Sequence, residues 1–433
     1  MFLSKKNTIK KIQARQILDS RGNPTLEVEA WSTSGISAVA GVPSGASTGK
    51  AEAHELRDGG EAYFGKAVGH AVENVNTEIN AALRGFDIFN QSKIDQTLID
   101  LDGKENKSRL GANAILGASL ACARLASQSR GLPLYSYIHK LARIKNSSPK
   151  LPKLMFNLIN GGLHADSGLD IQEYLFIPSG DNLSLSVRQA AETYHRLAEL
   201  LHSKGLSNGV GDEGGFAPHL KHNTEAFDFI IEAAKAQNYT LAKDFNLGLD
   251  AAANSFTQGS EPFRYNLKLD NKIVSAEELI DIYNQWIEEY GLVSIEDGLS
   301  EDDKLGWKLM TERLHHKTHV VGQNVELIGD DLFVTQARRL IDGAHDKLGT
   351  AIIIKPNQVG TLSETINTVR QAKSLGYACI ASHRSGETND DFIADLAVGL
   401  ACDYIKAGAP ARGERVSKYN RLLKIEALLA EGK

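Results

Sequence analysis

One pattern repeats through the second half of this 433-residue chain: an apolar run that ends in a charged or hydrogen-bonding side chain. The runs end at Asp250, Glu296, Asp330, Lys355, His383 to Ser385, and Lys406. Helix-like segments separate them, so the pattern predicts repeated strand–helix units. If these units close an α/β barrel, their strands point their carboxyl ends at one mouth, where barrel enzymes hold their reactive groups. We therefore expect three carboxylates, two lysines, an arginine and a histidine to converge there.

The first part of the chain follows a different pattern. Apolar residues alternate on both sides of the turn signal Ser20–Pro24, and a second turn at Ser34–Gly35 precedes a third run. This arrangement predicts a three-stranded antiparallel meander, and helix-period segments follow it. We predict a small α+β domain over residues 1–138 and an α/β barrel over residues 139–433. The boundary is placed at the polar, proline-containing segment 142–152.

Composition argues against several functional classes. The chain has 54 acidic and 48 basic residues and no long basic stripe, which argues against a dedicated nucleic-acid surface. The three cysteines, Cys122, Cys379 and Cys402, are far apart, so we predict reduced, buried thiols and no zinc or redox motif. The first residues lack the apolar core of a signal peptide, and no run reaches membrane-spanning length. These features predict a cytoplasmic protein with no membrane span.

The strand-end carboxylates Asp250, Glu296 and Asp330 are candidate ligands for a metal ion. A set of oxygen ligands suits magnesium or manganese, whereas zinc prefers histidine and cysteine. The alternative is that these acids only cap helices or face solvent. Lys355 ends a neighbouring run, and a metal ion nearby would lower its pKa and make it usable as a base. Its alternative role is a structural ion pair.

Two glycine-rich loops and one histidine complete the candidates. Residues 209–215 present Glu213, but they follow a helix and not a strand, which argues against a dinucleotide site. The segment 44–50 is followed by Ala51 at the position where a phosphate-binding loop would place the hydroxyl that binds magnesium, so we interpret the segment as a mobile lid. His164 lies in a glycine-containing loop shortly before the candidate polar pair Gln172 and Glu173.

Together these groups predict one kind of chemistry. Arg384, Ser385 and Lys406 form a candidate clamp for a phosphate or carboxylate group. A lysine base beside metal-binding carboxylates suggests removal of a proton next to a substrate carboxylate. The resulting dianionic enolate needs one or two magnesium ions to stabilise it, while an acid on the opposite face assists a leaving group.

The chain resembles the enolase family over essentially its whole length. The resembling stretches are LDSRGNPTLEVE, VPSGASTG, NGGLHAD, DIQEY, VGDEGGFAP, SIEDGL, GDDLFVT, IKPNQVGTLSE, SHRSGET and IKAGAPARGER. The resemblance implies a modified (β/α)8 TIM-type barrel preceded by an α+β N-terminal domain, usually dimeric and sometimes octameric. It also implies reversible dehydration of 2-phospho-D-glycerate to phosphoenolpyruvate in glycolysis and gluconeogenesis. Two Mg²⁺ ions per site would be needed, the second bound with the substrate.

The resemblance also implies roles for individual residues. Asp250, Glu296 and Asp330 would bind the main magnesium ion, and Ser47 would contribute to the second. Lys355 would be the base at C2, and Glu213 the acid at the C3 hydroxyl, with His164 and Glu173 also in catalytic roles. The residues that would bind or orient the substrate are His164, Gln172, Glu173, His383, Arg384, Ser385 and Lys406.

Alternatives to this function remain open at the level of sequence. An acid-sugar dehydratase of the same superfamily would have no use for a phosphate clamp. A binding or scaffold protein with this fold is another hypothesis, because the family's known partners include RNA-degradation complexes and, at cell surfaces, plasminogen. The family resemblance therefore extends the predicted localisation to the cell surface, or to secretion without a signal peptide. Leu163 and residues 167–169, 251–254 and 322–326 depart from the family's usual pattern without removing a functional group.

Overall fold

The structure is a computed structural model that describes residues 7–45, 49–144, 147–259, 262–317 and 324–431. The predicted metal ligand Ser47 and part of the atypical segment 322–326 lie outside these ranges.

The N-terminal region is a three-stranded antiparallel sheet covered by helices. The strands are β1 (Ile9–Leu18), β2 (Pro24–Ser32) and β3 (Ser37–Gly41), in that spatial order. The helices are α1 (Gly69–Asn74), α2 (Asn80–Leu83), α3 (Gln91–Asp102), α4 (Ala112–Ser129) and α5 (Leu134–Ala142), with a π-helical turn over Val75–Ile79. The predicted meander is confirmed.

Helix α4 packs against the sheet at close range because it consists largely of small residues. Nearly all of its residues are buried. A Cβ atom on Gly117 would lie 2.4 Å from Val28 Cγ2, so only glycine permits this approach. At the sheet edge, Asn76 and Asn80 accept hydrogen bonds from the backbone amides of β1, and these contacts satisfy groups that no fourth strand pairs.

The rest of the chain forms a closed eight-stranded barrel. Its strands are β4 (Lys153–Asn160), β5 (Glu173–Pro178), β6 (Phe245–Asp250), β10 (Leu292–Glu296), β11 (Glu326–Gly329), β12 (Ala351–Ile354), β13 (Ala378–Ser382) and β14 (Tyr404–Lys406). The outer helices are α6 (Leu183–Ser203), α7 (Glu225–Lys235), α8 (Ala276–Tyr290), α9 (Lys304–Leu314), α10 (Ala337–Asp346), α11 (Leu362–Ser374), α12 (Phe392–Gly399) and α13 (Gly413–Ala430). A small hairpin sheet, β7 (Thr257–Gln258), β8 (Arg264–Leu267) and β9 (Lys272–Ser275), follows β6.

The barrel departs from simple strand–helix repetition at one strand. β5 runs antiparallel to both β4 and β6, and both α6 and α7 lie between β5 and β6. The expectation that every strand points its carboxyl end at the mouth is therefore wrong for β5. This strand brings its amino end there, which places Glu173 opposite Asp250 in the register.

Hydrogen bonds and ion pairs tie the N-terminal region to the barrel mouth. Ser44 and Gly386 exchange backbone hydrogen bonds of 2.7 and 2.9 Å. Arg124 of α4 donates to the carboxylates of Asp390 and Asp391. The lower part of the barrel interior is apolar, so polar groups are concentrated at the mouth beside these contacts. No helix within the described ranges is long and apolar enough to span a membrane.

Candidate active site

The predicted site residues that the structure describes meet at the barrel mouth. The residues that line a cavity of about 30 Å³ include His164, Gln172, Glu173, Glu213, Asp250, Asp330, Lys355, His383, Arg384, Ser385 and Lys406. Glu296 lies fully buried and contacts Lys406. The barrel thus brings together residues that are more than 240 positions apart in the sequence.

Lys406 is surrounded by three carboxylates. Its Nζ atom lies 3.0 Å from Glu173 Oε1, 3.1 Å from Asp250 Oδ2 and 2.8 Å from Glu296 Oε2. Burial, together with repulsion from Asp250, raises the pKa of Glu296 to about 8, although Lys406 opposes this effect. Neither oxygen of Glu296 receives a well-aligned hydrogen bond from the described residues. Buried acceptors without donors are costly and suit a cation.

Asp330 pairs with Lys355 and with an amide. Lys355 Nζ donates to Asp330 Oδ2, and Gln358 Nε2 donates to Asp330 Oδ1 at 2.9 Å. Burial alone would lower the pKa of Lys355, but attraction to Asp330 outweighs burial and raises the pKa above its usual value. The predicted lowering of this pKa depends on a metal ion that binds Asp330 and so stays a prediction.

Glu213 lies on the other side of the cavity in a ring of nitrogen atoms. Asn157 Nδ2 and Asn160 Nδ2 donate to Glu213 Oε2 at 2.8 and 3.3 Å. His164 Nδ1 is 3.3 Å from Oε2, and His383 Nε2 is 3.4 Å from Oε1. Burial raises the pKa of Glu213, but these histidines and a nearby lysine lower it well below its usual range.

Glu173 and Glu213 interact with each other. Burial and the charge of Glu213 raise the pKa of Glu173 well above its usual value, whereas the pKa of Glu213 is lowered. When two buried carboxyls share a site, one of them keeps a proton at a pH where the other is ionised. The opposite shifts make Glu173 the more easily protonated carboxyl of this pair.

Arg384 already holds an anion. Its Nη1 atom donates to Glu52 Oε2 at 2.9 Å and its Nη2 atom to Glu52 Oε1 at 3.2 Å. This two-pronged geometry is the one an arginine uses to bind a phosphate or a carboxylate. Asn357 accepts a further hydrogen bond from Nη1, and Arg21 Nη1 donates to Ser385 Oγ at 3.4 Å. The guanidinium thus has the geometry that suits a carboxylate or a phosphate group.

Sequence reasoning missed several residues of the site. Glu52, Arg21, Asn157 and Arg415 were not predicted, because each reaches the mouth through a contact distant in sequence. Asp297 was also missed, although it directly follows Glu296. Its two oxygens accept from the backbone amides of residues 330 and 331 at 2.9 Å each, so it orients the candidate metal ligand that follows β11.

The carboxylates fit a hard divalent cation. Asp250 and Glu296 end neighbouring strands, Asp330 follows the next strand, and the Lys406 ammonium lies between the first two carboxylates. Among the described residues, the carboxylates whose oxygen atoms lie close enough together to share one ion are those of Asp297, Asp330 and Asp331, a group that shares only Asp330 with the predicted ligand set. Oxygen atoms alone on a rigid barrel favour magnesium over zinc.

Comparison with known protein families agrees with this geometry. The model described as "Enolase, N-terminal domain" matches residues 9–138, and "Enolase, C-terminal TIM barrel domain" matches residues 148–433. The chain belongs to the enolase family. Its domains are those of a lyase-type enzyme of the enolase superfamily that acts on a small molecule, and the family typically uses Mg²⁺.

Proposed function

We propose that this enolase-family protein is a magnesium-dependent cytoplasmic enolase. It would interconvert 2-phospho-D-glycerate with phosphoenolpyruvate and water, in glycolysis and gluconeogenesis. The observation that supports this most directly is one small cavity lined by Lys355, Glu213 and the Arg384 guanidinium. A base, an acid and a phosphate-binding fork within one cavity suit elimination from a phosphorylated hydroxy acid.

In this proposal the substrate phosphate binds Arg384 and Ser385 in place of the Glu52 carboxylate. The main metal ion would bind Asp250, Glu296 and Asp330, and the second would involve Ser47. When bound, magnesium supplies positive charge that stabilises the substrate carboxylate as negative charge builds up on it.

Lys355 then acts as the base. Once Asp330 is occupied as a ligand, Lys355 loses its counter-ion, and the nearby cations Arg384 and Lys406 lower its pKa. The neutral amine takes the proton from C2, and the electron pair of that C–H bond is left on the substrate as an enolate. Lys406, held among three carboxylates, remains an ammonium and contributes fixed positive charge.

Glu213 acts as the acid on the opposite side. The negative charge of the bound substrate raises the pKa of this carboxyl, which is the direction a proton donor needs. As the C3–O bond breaks, Glu213 gives its proton to the leaving hydroxide and forms water. His164, Gln172 and Glu173 line the same cavity and would orient the substrate between base and acid.

The test is formation of phosphoenolpyruvate from 2-phosphoglycerate, followed by ultraviolet absorbance with magnesium and then with excess chelator. Lys355→Ala and Glu213→Gln should each lower kcat by about 10²–10⁴-fold, the usual contribution of a general base or acid. Lys308→Ala removes an exposed lysine from α9 and serves as the control. Near-wild-type rates in either site variant would refute the assigned mechanism. If the folded, magnesium-loaded wild type shows no turnover of 2-phosphoglycerate, sugar acids would be the next substrates to test.

We also propose that the protein assembles as a homodimer or a higher oligomer such as an octamer. Phe64 is 98% exposed and Tyr63 is 48% exposed, and both adopt left-handed backbone conformations. Arg57 ties this segment to the start of β2, beside the exposed Leu18. Exposed apolar groups held in strained conformations suit a protein interface. Light scattering should show that Phe64→Ser shifts the wild-type assembly towards the monomer; a monomeric wild type would refute the proposal.

A further inference from the structure

Arg415 is a fully buried arginine behind the barrel mouth, and the proposed chemistry does not use it directly. It projects from the first turn of α13, and its guanidinium binds two loops of the site. Nη1 donates to His383 Nδ1 at 2.6 Å and to the Arg384 carbonyl at 2.7 Å. Nη2 donates to the carbonyls of Ser385 and Asp212 at 2.7 and 2.9 Å.

The contact with His383 fixes where the imidazole proton lies. A guanidinium has five N–H donors and no acceptor, so the ring nitrogen facing it must accept. A ring that accepts at Nδ1 is neutral and has its proton on Nε2. We infer that Arg415 is a positioning residue that holds His383 as the neutral Nε2–H tautomer and directs this N–H at Glu213.

The surroundings of the second nitrogen agree with this inference. His383 Nε2 lies 3.4 Å from Glu213 Oε1 and has no hydrogen-bond partner among the described residues. A buried N–H without a partner is costly, so a small shift of the carboxylate or a bound ligand completes the bond. The other charged groups that act on the ring, Arg415, Lys406 and Lys355, are cations. Burial and these cations lower the pKa of His383 well below its usual value, which keeps the ring neutral.

The consequence for the reaction rests on the proposed role of Glu213 as the acid. When Glu213 has given up its proton, its carboxylate accepts from the His383 N–H, and a hydrogen bond to a charged acceptor is stronger than one to a neutral carboxyl. The interaction therefore strengthens as the C3–O bond breaks and favours the transition state over the ground state. The opposite tautomer would present a lone pair to Glu213 and repel the same charge.

The first experiment reads the tautomer directly and needs no substrate. Protein labelled with ¹⁵N-histidine is studied by long-range ¹H–¹⁵N correlation, and His383→Gln assigns the resonance. We expect an unprotonated Nδ1 and a protonated Nε2 from about pH 6 to pH 9, above and below the ordinary histidine pKa. A proton on Nδ1 in the wild type, or an imidazolium at pH 6, would overturn the inference.

Variants test whether Arg415 is the cause. Arg415→Met should allow protonation of Nδ1, whereas Arg415→Lys keeps a donor and should keep the tautomer if the variant folds. Lys418→Met is the matched control. Lys418 is a buried cation one turn further along α13 that binds the Thr388 carbonyl and Glu387 and no atom of the ring. An unchanged tautomer in folded Arg415→Met, or an equal change in Lys418→Met, would refute the causal role.

Kinetics separate this inference from the proposed function. Loss of a supporting hydrogen bond to a catalytic group typically costs about 10–100-fold in activity. We expect a loss of that size in kcat for Arg415→Met with KM changed by less than about threefold, since Arg415 does not contact substrate. Arg415→Lys should restore part of the rate. If the wild type shows the predicted tautomer but no turnover of 2-phosphoglycerate, the proposed function fails while the role of Arg415 stands.

Discussion

Removing the Lys406 ammonium from among its three carboxylates should strongly destabilise the metal-free protein. Lys406→Met keeps the length of the side chain and removes its charge, which leaves Glu173, Asp250 and Glu296 facing one another. Breaking a buried ion pair from one side typically costs about 3–5 kcal/mol. With three partners at 2.8–3.1 Å, we expect a loss in this range, which is large against the 5–15 kcal/mol of an ordinary domain.

The loss should depend on pH in a defined direction. Without the ammonium, the pKa values of Glu173 and Glu296 rise further above their unfolded values, so the folded variant binds extra protons. A folded state that holds more protons than the unfolded state loses stability as pH rises. The difference between the variant and the wild type should therefore be larger at about pH 9 than at about pH 6, because the pKa of Glu296 is already about 8 in the wild type.

Magnesium should replace part of the missing charge. A ligand at 100 times its dissociation constant stabilises the folded state by about 2.7 kcal/mol, and the variant should bind the cation more tightly than the wild type. The assay is urea unfolding in chelator and in magnesium at both pH values. Lys317→Met is the control, since its ammonium lies 4.0 Å from Glu288 on the surface and is worth about 0–1 kcal/mol. A Lys406→Met loss no larger than the control's, or one unaffected by pH and magnesium, would refute the reasoning.

Two further predictions concern metal binding and the contact between the domains. Because the pKa of Glu296 is about 8, magnesium must displace a proton, so the affinity should rise from about pH 6 to about pH 8 and then level off. Calorimetry in two buffers of different ionisation enthalpy measures the released proton, and a pH-independent affinity would contradict this. Gly386→Ala places a Cβ atom 2.4 Å from Asp19 Oδ2 and 2.7 Å from the Ser44 carbonyl, so it should cost about 1–3 kcal/mol and lower kcat. Gly180→Ala, where the added atom meets nothing, should leave both stability and kcat unchanged.

The sequence predicts those features of the fold that depend on residues close to one another in the chain. Apolar runs ending in Asp250, Glu296 and Lys406 are barrel strands, because a buried strand must be apolar until it reaches the mouth. Ser275 and Glu278 have the spacing of a capping box in the sequence, and both of its reciprocal hydrogen bonds form at the start of α8. Each of these signals lies within a few residues of the feature it predicts.

Features that depend on distant contacts could not be predicted in this way. The direction of β5 is one such feature, since a buried apolar strand has the same sequence pattern in a parallel and in an antiparallel sheet. Arg415 is another, because an arginine in a helix ordinarily lies in solvent, and only the folded chain supplies the carbonyls that bury it. The π-helical turn at Val75–Ile79 is a third such feature, because the apolar residues of this segment keep helical spacing through it.

The carboxylate of Glu52 has a consequence for how an anion enters and leaves the site. Because Arg384 is already paired, any incoming phosphate group exchanges with an anion that remains attached to the chain. The measured affinity then reflects the difference between the binding free energies of the incoming anion and of the Glu52 carboxylate. The effective concentration of Glu52 stays constant because it belongs to the same chain. Sulfate or inorganic phosphate at high concentration should release Glu52 without any substrate. If the proposed reaction takes place here, the same carboxylate should return to Arg384 after turnover and displace the product, as salt elutes a bound anion from an exchange resin.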